Sequence, residues 1–447
     1  MFDRLLPQSL LDAALQDLRS RGVVAGSIVA WLSHNRWEMV ATLVACRQLG
    51  AVLLPLNWRL AASELAAICS HAGATHLMAS PELTDVEKQM LDLAQLVPRS
   101  DAPASDVQPG DLLLVYTSGT TGQPKGAMHS AAGLIANAQA AIEAQGLDAQ
   151  TRVLTVLPLF HVGGLCIQTL PALAAGAQVL LHPRFEPEAW FDAVAQWRPT
   201  TTLLVPAVMK ALVEHPRWAA ADLSSLAFVN SGSQIVPLAL IQRFHDRGIP
   251  VAQVYGATET GPLSIVLKPG QALAHAGKAG LPALGVQVKL GPDGEVCLKA
   301  PQLMRGYHRS SEASFDAAGW FRTGDLALQH ADGMFEICGR SKELIISGGE
   351  NIHPAEVEHW VAQVHGVLEC AVVGLPDAQW GEVPVLAVVL RPGAKLDRAA
   401  LQAVLDKQLA RFKHPKRIEF VQQLPKTALG KVQRTALVRV LSEAQLT

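Results

Sequence analysis

The sequence predicts an α/β protein: a large N-terminal domain of layered, mostly parallel sheets with helices and a β-rich subdomain, then a small C-terminal α+β domain. Three observations carry this. Short β-branched or leucine-rich runs without polar alternation recur as far as Tyr255, many of them separated by helix-length stretches. Beyond Gly256 the texture turns to alternating polar and apolar positions around a Pro-Asp-Gly turn. From Gly339 a compact unit of helices and strands can be drawn.

The runs are "GSIVAWL" (from Gly26), "AVLLPL" (Ala51), "THLMA" (Thr75), "DLLLVY" (Asp111), "RVLTVLP" (Arg152), "QVLLH" (Gln178), "TTLLV" (Thr201), "LAFVNS" (Leu226) and "PVAQVY" (Pro250). Such runs read as strands buried on both faces, and helical spacing in several connecting segments makes the layers parallel α/β. "VQVKLGPDGEVCLKA" reads as an antiparallel hairpin, and Ala331-Asp332-Gly333 marks another turn. "PAEVEHWVAQV" starts a helix at Pro354 and sets Val357, Trp360, Val361 and Val364 on one face. "ECAVVGLP" and "VPVLAVVL" read as strands, and Leu401, Leu405 and Leu409 form one helical stripe. The boundary falls near Ser341-Lys342, giving domains 1–340 and 341–447.

Composition narrows the partners. The 447 residues are 49% hydrophobic and 17% charged, enough apolar mass for a large core, with a formal net charge of −2. No basic excess points to nucleic acid or an acidic membrane, so a small molecule or a neutral protein is the expected partner. The six cysteines (Cys46, Cys69, Cys166, Cys297, Cys338, Cys370) are scattered, with neither C-x-x-C nor metal-ligand spacing, which fits reduced thiols in the cytoplasm. "MFDRLLPQSL" lacks a signal layout. The most apolar stretches, from Met39 and from His161, are interrupted by Arg47, Gln48, Gln168 and Pro171, so no stable membrane insertion is expected. Oligomeric state is left open, a homodimer included.

Several glycine- and hydroxyl-rich turns follow the strand-like runs. "YTSGTTGQPKG" (Tyr116–Gly126) directly follows one. Glycines let backbone N–H groups turn toward an anion, hydroxyls add donors, and Lys125 adds charge. It is not a Walker A loop, since Gly119 and Gly122 are three apart and Lys125 follows Pro124; a solvated connection would share its composition. "YGATETG" (Tyr255–Gly261) follows another strand end, where ligands bind in open α/β sheets. Tyr255 offers a ring face, Thr258 a hydroxyl, and Glu259 either a hard oxygen for Mg²⁺ or a helix-start carboxylate. "GWFRTGDLAL" puts Asp325 at a turn, with Arg340 fifteen residues later in "GRSKELIISGGENIHP". Asp accepts from hydroxyls and Arg serves a ribose or phosphate, although for each alone a turn cap or a surface charge is the common case. "LPKTALGKVQR" places Lys431 in a Gly-containing loop, where a solvated lysine is the common case. "PLFHVGG" sets His161 among apolar and small residues, where a hydrogen-bonded core histidine is the common case. No Ser/His/Asp pattern and no metal-ligand cluster competes with these elements.

In this order, "YTSGTTGQPKG", "YGATETG", "GWFRTGD", "GRSKELIISGGENIHPAEVE" and "PKTALGK" resemble the adenylate-forming (AMP-binding) superfamily, in its branch of fatty-acid- and aryl-CoA ligases. The resemblance spans about Leu11 to Val440, and five ordered motifs make it specific. It implies an N-terminal AMP-binding (adenylation) domain and a mobile C-terminal domain. It implies ATP, Mg²⁺ and CoA as cofactors, and two half-reactions. A carboxylate attacks the α-phosphate of Mg·ATP to give acyl-adenylate and pyrophosphate; the CoA thiol then displaces AMP. The acid would be a fatty, aromatic or hydroxycinnamic one.

The roles follow motif by motif. Thr117, Ser118, Gly119, Thr120, Thr121, Gly122 and Lys125 resemble the loop that holds the β- and γ-phosphates. Ser231, Gly232 and Ser233 would flank the adenine, Tyr255 stack on it beside Gly256, and Thr258 contact the α-phosphate. Glu259 and Thr121 would face Mg²⁺. Asp325 and Arg340 would hold the ribose. Lys431 would bridge carboxylate and α-phosphate, making Lys431, Thr258, Glu259 and His161 the catalytic set. His161, Val162, Gly163 and Gly256 would line the acyl pocket. Lys342 stands at the hinge, and Ser347, Gly348 and Gly349 on the pantetheine path.

Two departures stand out. Residues that the family carries ahead of the region matching Leu11 are absent, and "NSGSQIV" (Asn230–Val236) replaces a Gly-Ala-Pro-like wall with the more polar Ser233 and Gln234. No carrier domain follows Lys431, which favours free CoA. A stand-alone enzyme loading a carrier protein, an o-succinylbenzoate–CoA ligase and an inactive nucleotide-binding homologue are the competing expectations.

Overall fold

The computed structural model describes residues 6–80, 106–117, 125–311, 313–347, 350–377, 380–427 and 430–443. They fall into two compact units: Met1–Val236, Leu240–Val288 and Leu298–Arg322 make the first, and Pro237–Ala239, Lys289–Cys297 and Thr323–Thr447 the second.

The first unit holds two sheets. In one, β1 (Ile28–Leu32) pairs in parallel with both β2 (Val52–Leu56) and β3 (His76–Ala79), and β2 pairs in parallel with β4 (Asp111–Thr117). Every residue of β1 and β2 is buried because helices cover both faces. Leu11, Leu15 and Leu18 of the helix Gln8–Ser20 and Leu43 and Val44 of the helix Trp37–Leu49 pack on Val29 and Leu53. Leu65, Ile68 and Cys69 of the helix Ala62–Ala72 pack on the opposite face, against Ala30 and Leu54. Antiparallel to β4 runs β5 (Lys125–Ser130), which the apolar pattern does not announce because Lys125, His129 and Ser130 interrupt it.

The second sheet takes β6 (Arg152–Thr155), β7 (Gln178–Leu181), β8 (Thr201–Leu204), β9 (Phe228–Gly232) and β10 (Val251–Tyr255), all in parallel, in the order β10–β9–β8–β6–β7. β11 (Ile265–Leu267) and β12 (Leu281–Pro282) extend its β10 edge antiparallel. Trp190, Phe191, Met209, Ile241 and Phe244 bury one face of it against Leu154, Leu204, Val229 and Val251. Each of the nine apolar runs thus contains a strand.

The chain then passes β13 (Gln287–Leu290), β14 (Glu295–Lys299) and β15 (Gly306–Tyr307). β15 returns to β5, pairing antiparallel with it, while β13 and β14 form a four-stranded sheet with β16 (Phe321–Gln329) and β17 (Phe335–Arg340). This is the β-rich part that polar alternation predicts. The turn joining β16 to β17 has Gly333 at φ 82°, in the left-handed region that glycine enters at no steric cost.

In the second unit, β18 (Ile345–Ser347), β19 (Glu350–Ile352), β20 (Val367–Asp377), β21 (Gly381–Leu390) and β22 (Arg417–Phe420) form a mostly antiparallel sheet. Val357 and Val361 of the helix Pro354–Ala362 and Leu401 and Leu405 of the helix Arg398–Gln408 pack on one face. Leu437 and Leu441 of the helix Arg434–Glu443 cover the other, against Val373, Val385 and Ala387. None of the six cysteines is in a disulfide, and four of them are buried. No helix among the described residues is long and apolar enough to cross a membrane.

Candidate active site

Thr117 closes β4 and Lys125 opens β5, so the two flank the predicted phosphate loop as cross-strand partners; the Thr117 hydroxyl donates to the Lys125 carbonyl at 3.4 Å. Ser118, Gly119, Thr120, Thr121 and Gly122 lie outside the described residues. At the loop's base the Tyr116 ring packs on Gly126, where a β-carbon would stand 3.0 Å from it. The Tyr116 hydroxyl meets His71 Nδ1 at 2.7 Å.

Strand ends of the second sheet supply the next group. β9 ends in Asn230, Ser231 and Gly232, and Gly232 is in register with Val254 on β10. A β-carbon on Gly232 would collide with the Val254 carbonyl, and one on Gly256 with the Pro262 carbonyl. Close backbone approach therefore selects glycine at both positions. The Ser231 hydroxyl is buried with no hydrogen-bond partner among the described residues, and Ser233 sits at φ 72°. Tyr255, half-buried, ends β10 at the carboxyl edge where parallel sheets bind ligands.

Directly after it, Thr258, Glu259 and Thr260 form a single 3₁₀ turn. The Ala257 N–H donates to the buried Thr260 hydroxyl at 2.8 Å. Glu259 is held twice: its carbonyl accepts from the Met304 N–H at 2.8 Å, and its Oε1 from the Tyr307 hydroxyl at 2.9 Å. No group of three or more His, Cys, Asp or Glu able to hold a metal occurs among the described residues. A single carboxylate suits a Mg²⁺ ion that arrives on substrate phosphates and takes most of its ligands from them and from water.

His129 of β5 escapes sequence reasoning. It is 1% exposed, and neither ring nitrogen makes a well-formed hydrogen bond among the described residues, its one polar contact being a weak one to the Thr258 backbone. Burial pushes its pKa down to about 4, partly offset by the Thr258 backbone, so the imidazole is neutral near pH 7.

Of the predicted acyl-pocket residues, His161, Val162 and Gly163 fall together at the start of a π-helix, Gly163–Thr169, an irregularity common at functional sites, whereas Gly256 follows the end of β10. The His161 ring lies 4.8 Å from that of Phe160, and Val162 leads into the first turn. A β-carbon on Gly164 would strike the Leu157 and Pro158 carbonyls, so this turn sits hard against the 157–158 backbone. Gly163, by contrast, faces open space: a β-carbon there would meet nothing within 4 Å.

The second unit carries its own predicted residues. Asp325 and Arg340 are cross-strand partners on β16 and β17, with Arg340 Nε 2.9 Å from Asp325 Oδ1. The Gly324 N–H donates to Glu295 Oε1 at 2.8 Å, and the Asp325 N–H to the Thr323 hydroxyl at 3.0 Å, fixing the strand segment ahead of the carboxylate, where the sequence suggested a turn. Lys342 is exposed in the 3₁₀ turn Ser341–Glu343; Gly348 and Gly349 lie outside the described residues. The loop of Lys431 is closed by the Thr427 N–H donating to the Lys431 carbonyl at 2.7 Å and by the Lys431 N–H donating to the Thr427 hydroxyl at 3.2 Å. Three residues on, Arg434 is gripped by Glu358 at 2.7 and 3.1 Å, by Glu343 at 2.9 Å and by the Val372 carbonyl at 2.6 Å. Burial works against this guanidinium, but Glu358 and Glu343 outweigh it and shift its pKa upward.

Comparison with known proteins identifies the family. The family model described as "AMP-binding enzyme" matches residues 13–308, and that of the "AMP-binding enzyme C-terminal domain" matches residues 356–431. The chain belongs to the AMP-binding enzyme family. Among its curated relatives in that family, an indoleacetate–CoA ligase of Aromatoleum aromaticum is 43% identical over 460 residues, covering 95% of this chain and 90% of that one. A feruloyl-CoA synthase of an Amycolatopsis species is 40% identical over 436 residues, covering 93% and 89%. Among solved structures, an o-succinylbenzoate CoA synthetase from Bacillus subtilis in complex with its acyl-adenylate superposes with a TM-score of 0.84 at 29% identity, over 96% of this chain and 91% of that one. This AMP-binding enzyme is an acid–thiol ligase that uses ATP, Mg²⁺ and CoA.

Proposed function

We propose that the chain activates aromatic and arylalkanoic acids as their CoA thioesters, by way of the acyl-adenylate. The observation that carries this reading is the open space beside Gly163 at the head of the π-helix, where a β-carbon would meet nothing within 4 Å. The identities to an indoleacetate–CoA ligase and a feruloyl-CoA synthase support an aromatic acid over a fatty one.

The residues divide the work by chemistry. The cation of Lys125 meets the phosphates of the leaving pyrophosphate, and Glu259 supplies the protein oxygen for the Mg²⁺ that ATP carries, with the Thr258 hydroxyl at the α-phosphate. The Tyr255 ring stacks on the adenine, flanked by Ser231, Gly232 and Ser233. Asp325 accepts from the ribose hydroxyls, and Arg340, 2.9 Å from it, aims that carboxylate. Lys431 neutralises the charge that builds as the acid's carboxylate approaches the α-phosphate. Lys342 is the hinge between the half-reactions, His161 the wall of the acyl pocket. Six cysteines outside disulfides support a cytoplasmic setting.

A CoA-dependent AMP-release screen over indoleacetic, ferulic, benzoic, o-succinylbenzoic and octanoic acids tests the reading. Indoleacetate or ferulate is expected to exceed octanoate in kcat/KM by at least about tenfold. A preference for octanoate would overturn it, and a clear lead for o-succinylbenzoate would replace the arylalkanoic reading.

A further inference from the structure

Tyrosine is rare in this chain, with three in 447 residues, and all three lie in or beside the candidate site. Tyr116 and Tyr255 belong to the motifs already assigned; Tyr307 does not. It ends the two-residue strand β15, where it is in register with Ala127 of β5. Hydrogen bonds brace that strand from both sides: the Arg305 N–H donates to the Met128 carbonyl and the His308 N–H to the Gly126 carbonyl, each at 2.7 Å. On this fixed backbone the Tyr307 side chain touches two groups of opposite charge. Its hydroxyl donates to Glu259 Oε1 at 2.9 Å, and the Lys125 ammonium stands 5.2 Å from its ring centroid.

We propose that Tyr307 is a positioning residue for nucleotide binding, setting the metal-binding carboxylate with its hydroxyl and the phosphate-binding lysine with its ring face. The inference rests on the roles given above to Glu259 and Lys125. A phenol is suited to the task because a neutral donor occupies one carboxylate oxygen without neutralising the charge, leaving the other for a cation. Its ring attracts an ammonium without competing with phosphate for the N–H donors. The same segment fixes the Glu259 backbone through Met304, so hydroxyl and backbone together define where the carboxylate points.

The two contacts separate by substitution. Tyr307→Phe removes the hydroxyl and keeps the ring; Tyr307→Leu removes both. Binding of a non-hydrolysable ATP analogue is measured by calorimetry across a Mg²⁺ titration and, separately, with the metal chelated. For Tyr307→Phe the Mg²⁺ concentration giving half-maximal binding is expected to rise about tenfold, the loss of one charge-assisted hydrogen bond, while metal-free binding stays at the wild-type value. Tyr307→Leu is expected to weaken metal-free binding as well, by about threefold, through the lost cation–π contact. Melting curves accompany each variant, and KM for the carboxylic acid should stay unchanged. Glu259→Gln serves as the reference. If it raises the Mg²⁺ requirement and Tyr307→Phe does not, the positioning role is overturned while the reading of Glu259 stands. If Glu259→Gln leaves the requirement unchanged, the metal assignment fails and the proposal fails with it. Equal losses with and without metal for Tyr307→Phe would mark a merely structural residue and also overturn it.

Discussion

Arg340 and Asp325 face each other across β17 and β16, with Nε and Oδ1 2.9 Å apart, although fifteen residues separate them in sequence. The carboxylate is 10% exposed and the guanidinium 51%. The sheered-in member is thus the acceptor, held by a cation that solvent still reaches. If Asp325 accepts from both ribose hydroxyls, the wild-type protein should bind 2′-deoxy-ATP about tenfold more weakly than ATP. Asp325→Ala should bind the two nucleotides alike, as measured by calorimetry. Retained discrimination in the variant would remove Asp325 from the ribose site.

His129 links the site to stability. With its folded pKa near 4 and an unfolded value near 6.5, the unfolded chain binds more protons than the folded one between those limits. Stability from this group is therefore intact above about pH 6.5, falls as pH drops toward 4, and changes no further below it. The loss amounts to about 3 kcal/mol over that window. Denaturant titrations at pH 7 and pH 4.5 should show a smaller difference for His129→Leu than for the wild type; parallel losses would show that other groups carry the acid sensitivity.

Much of the fold is legible in the sequence because parallel strands buried on both faces leave unbroken apolar runs, and the nine runs each hold a strand. β5 and β15 are not legible. β5 carries Lys125, His129 and Ser130 in six residues, and β15 is two residues long; both are strands because β4 and then β5 offer an edge to pair with. The site follows the same division. Thr258 and Glu259 announce themselves as polar residues in a turn after a strand, while Asp325, expected at a turn, lies within β16 because that strand pairs with β17. Tyr307, His129 and Arg434 act through tertiary contacts with segments 48, 129 and 76 residues away (Glu259, Thr258 and Glu358), which no local pattern encodes. The scarcity of tyrosine was the available signal for Tyr307.

Arg434 gives a test of what steadies the Lys431 loop. Replacing it with Met leaves Glu358, 19% exposed and already hydrogen-bonded to the Val372 N–H at 2.6 Å, without its counter-charge. The second unit should lose about 3 kcal/mol in denaturant unfolding, the usual cost of orphaning one side of a buried pair. Arg434→Lys keeps the charge but cannot serve Glu358 and Glu343 with one planar fork, so it should fall between Met and wild type. Wild-type stability in Arg434→Met would show that the network contributes nothing net.

Gly163 tests the acyl pocket. A β-carbon at Gly163 would meet nothing within 4 Å, so Gly163→Val should fold normally and fill the space instead. The kcat/KM for indoleacetate should drop at least about tenfold relative to that for propionate. An unchanged ratio would place the ring of the acid elsewhere.

Lys431 bears on the order of the chemistry. Its loop is closed by Thr427 on one side, and the helix Arg434–Glu443 follows, so the side chain is presented on a fixed base. In adenylation two anions, the acid's carboxylate and the α-phosphate, must come together, and a cation between them lowers that barrier. In the second half-reaction a neutral acyl carbon is attacked and AMP leaves, so the demand for that cation disappears. Lys431→Ala should therefore slow pyrophosphate exchange by about a hundredfold or more. Thioester formation from supplied acyl-adenylate and CoA should stay within about threefold of wild type, since no interaction made in that transition state has been removed. Equal loss in both steps would mean that Lys431 holds the nucleotide throughout, and its assignment to the first step would be wrong.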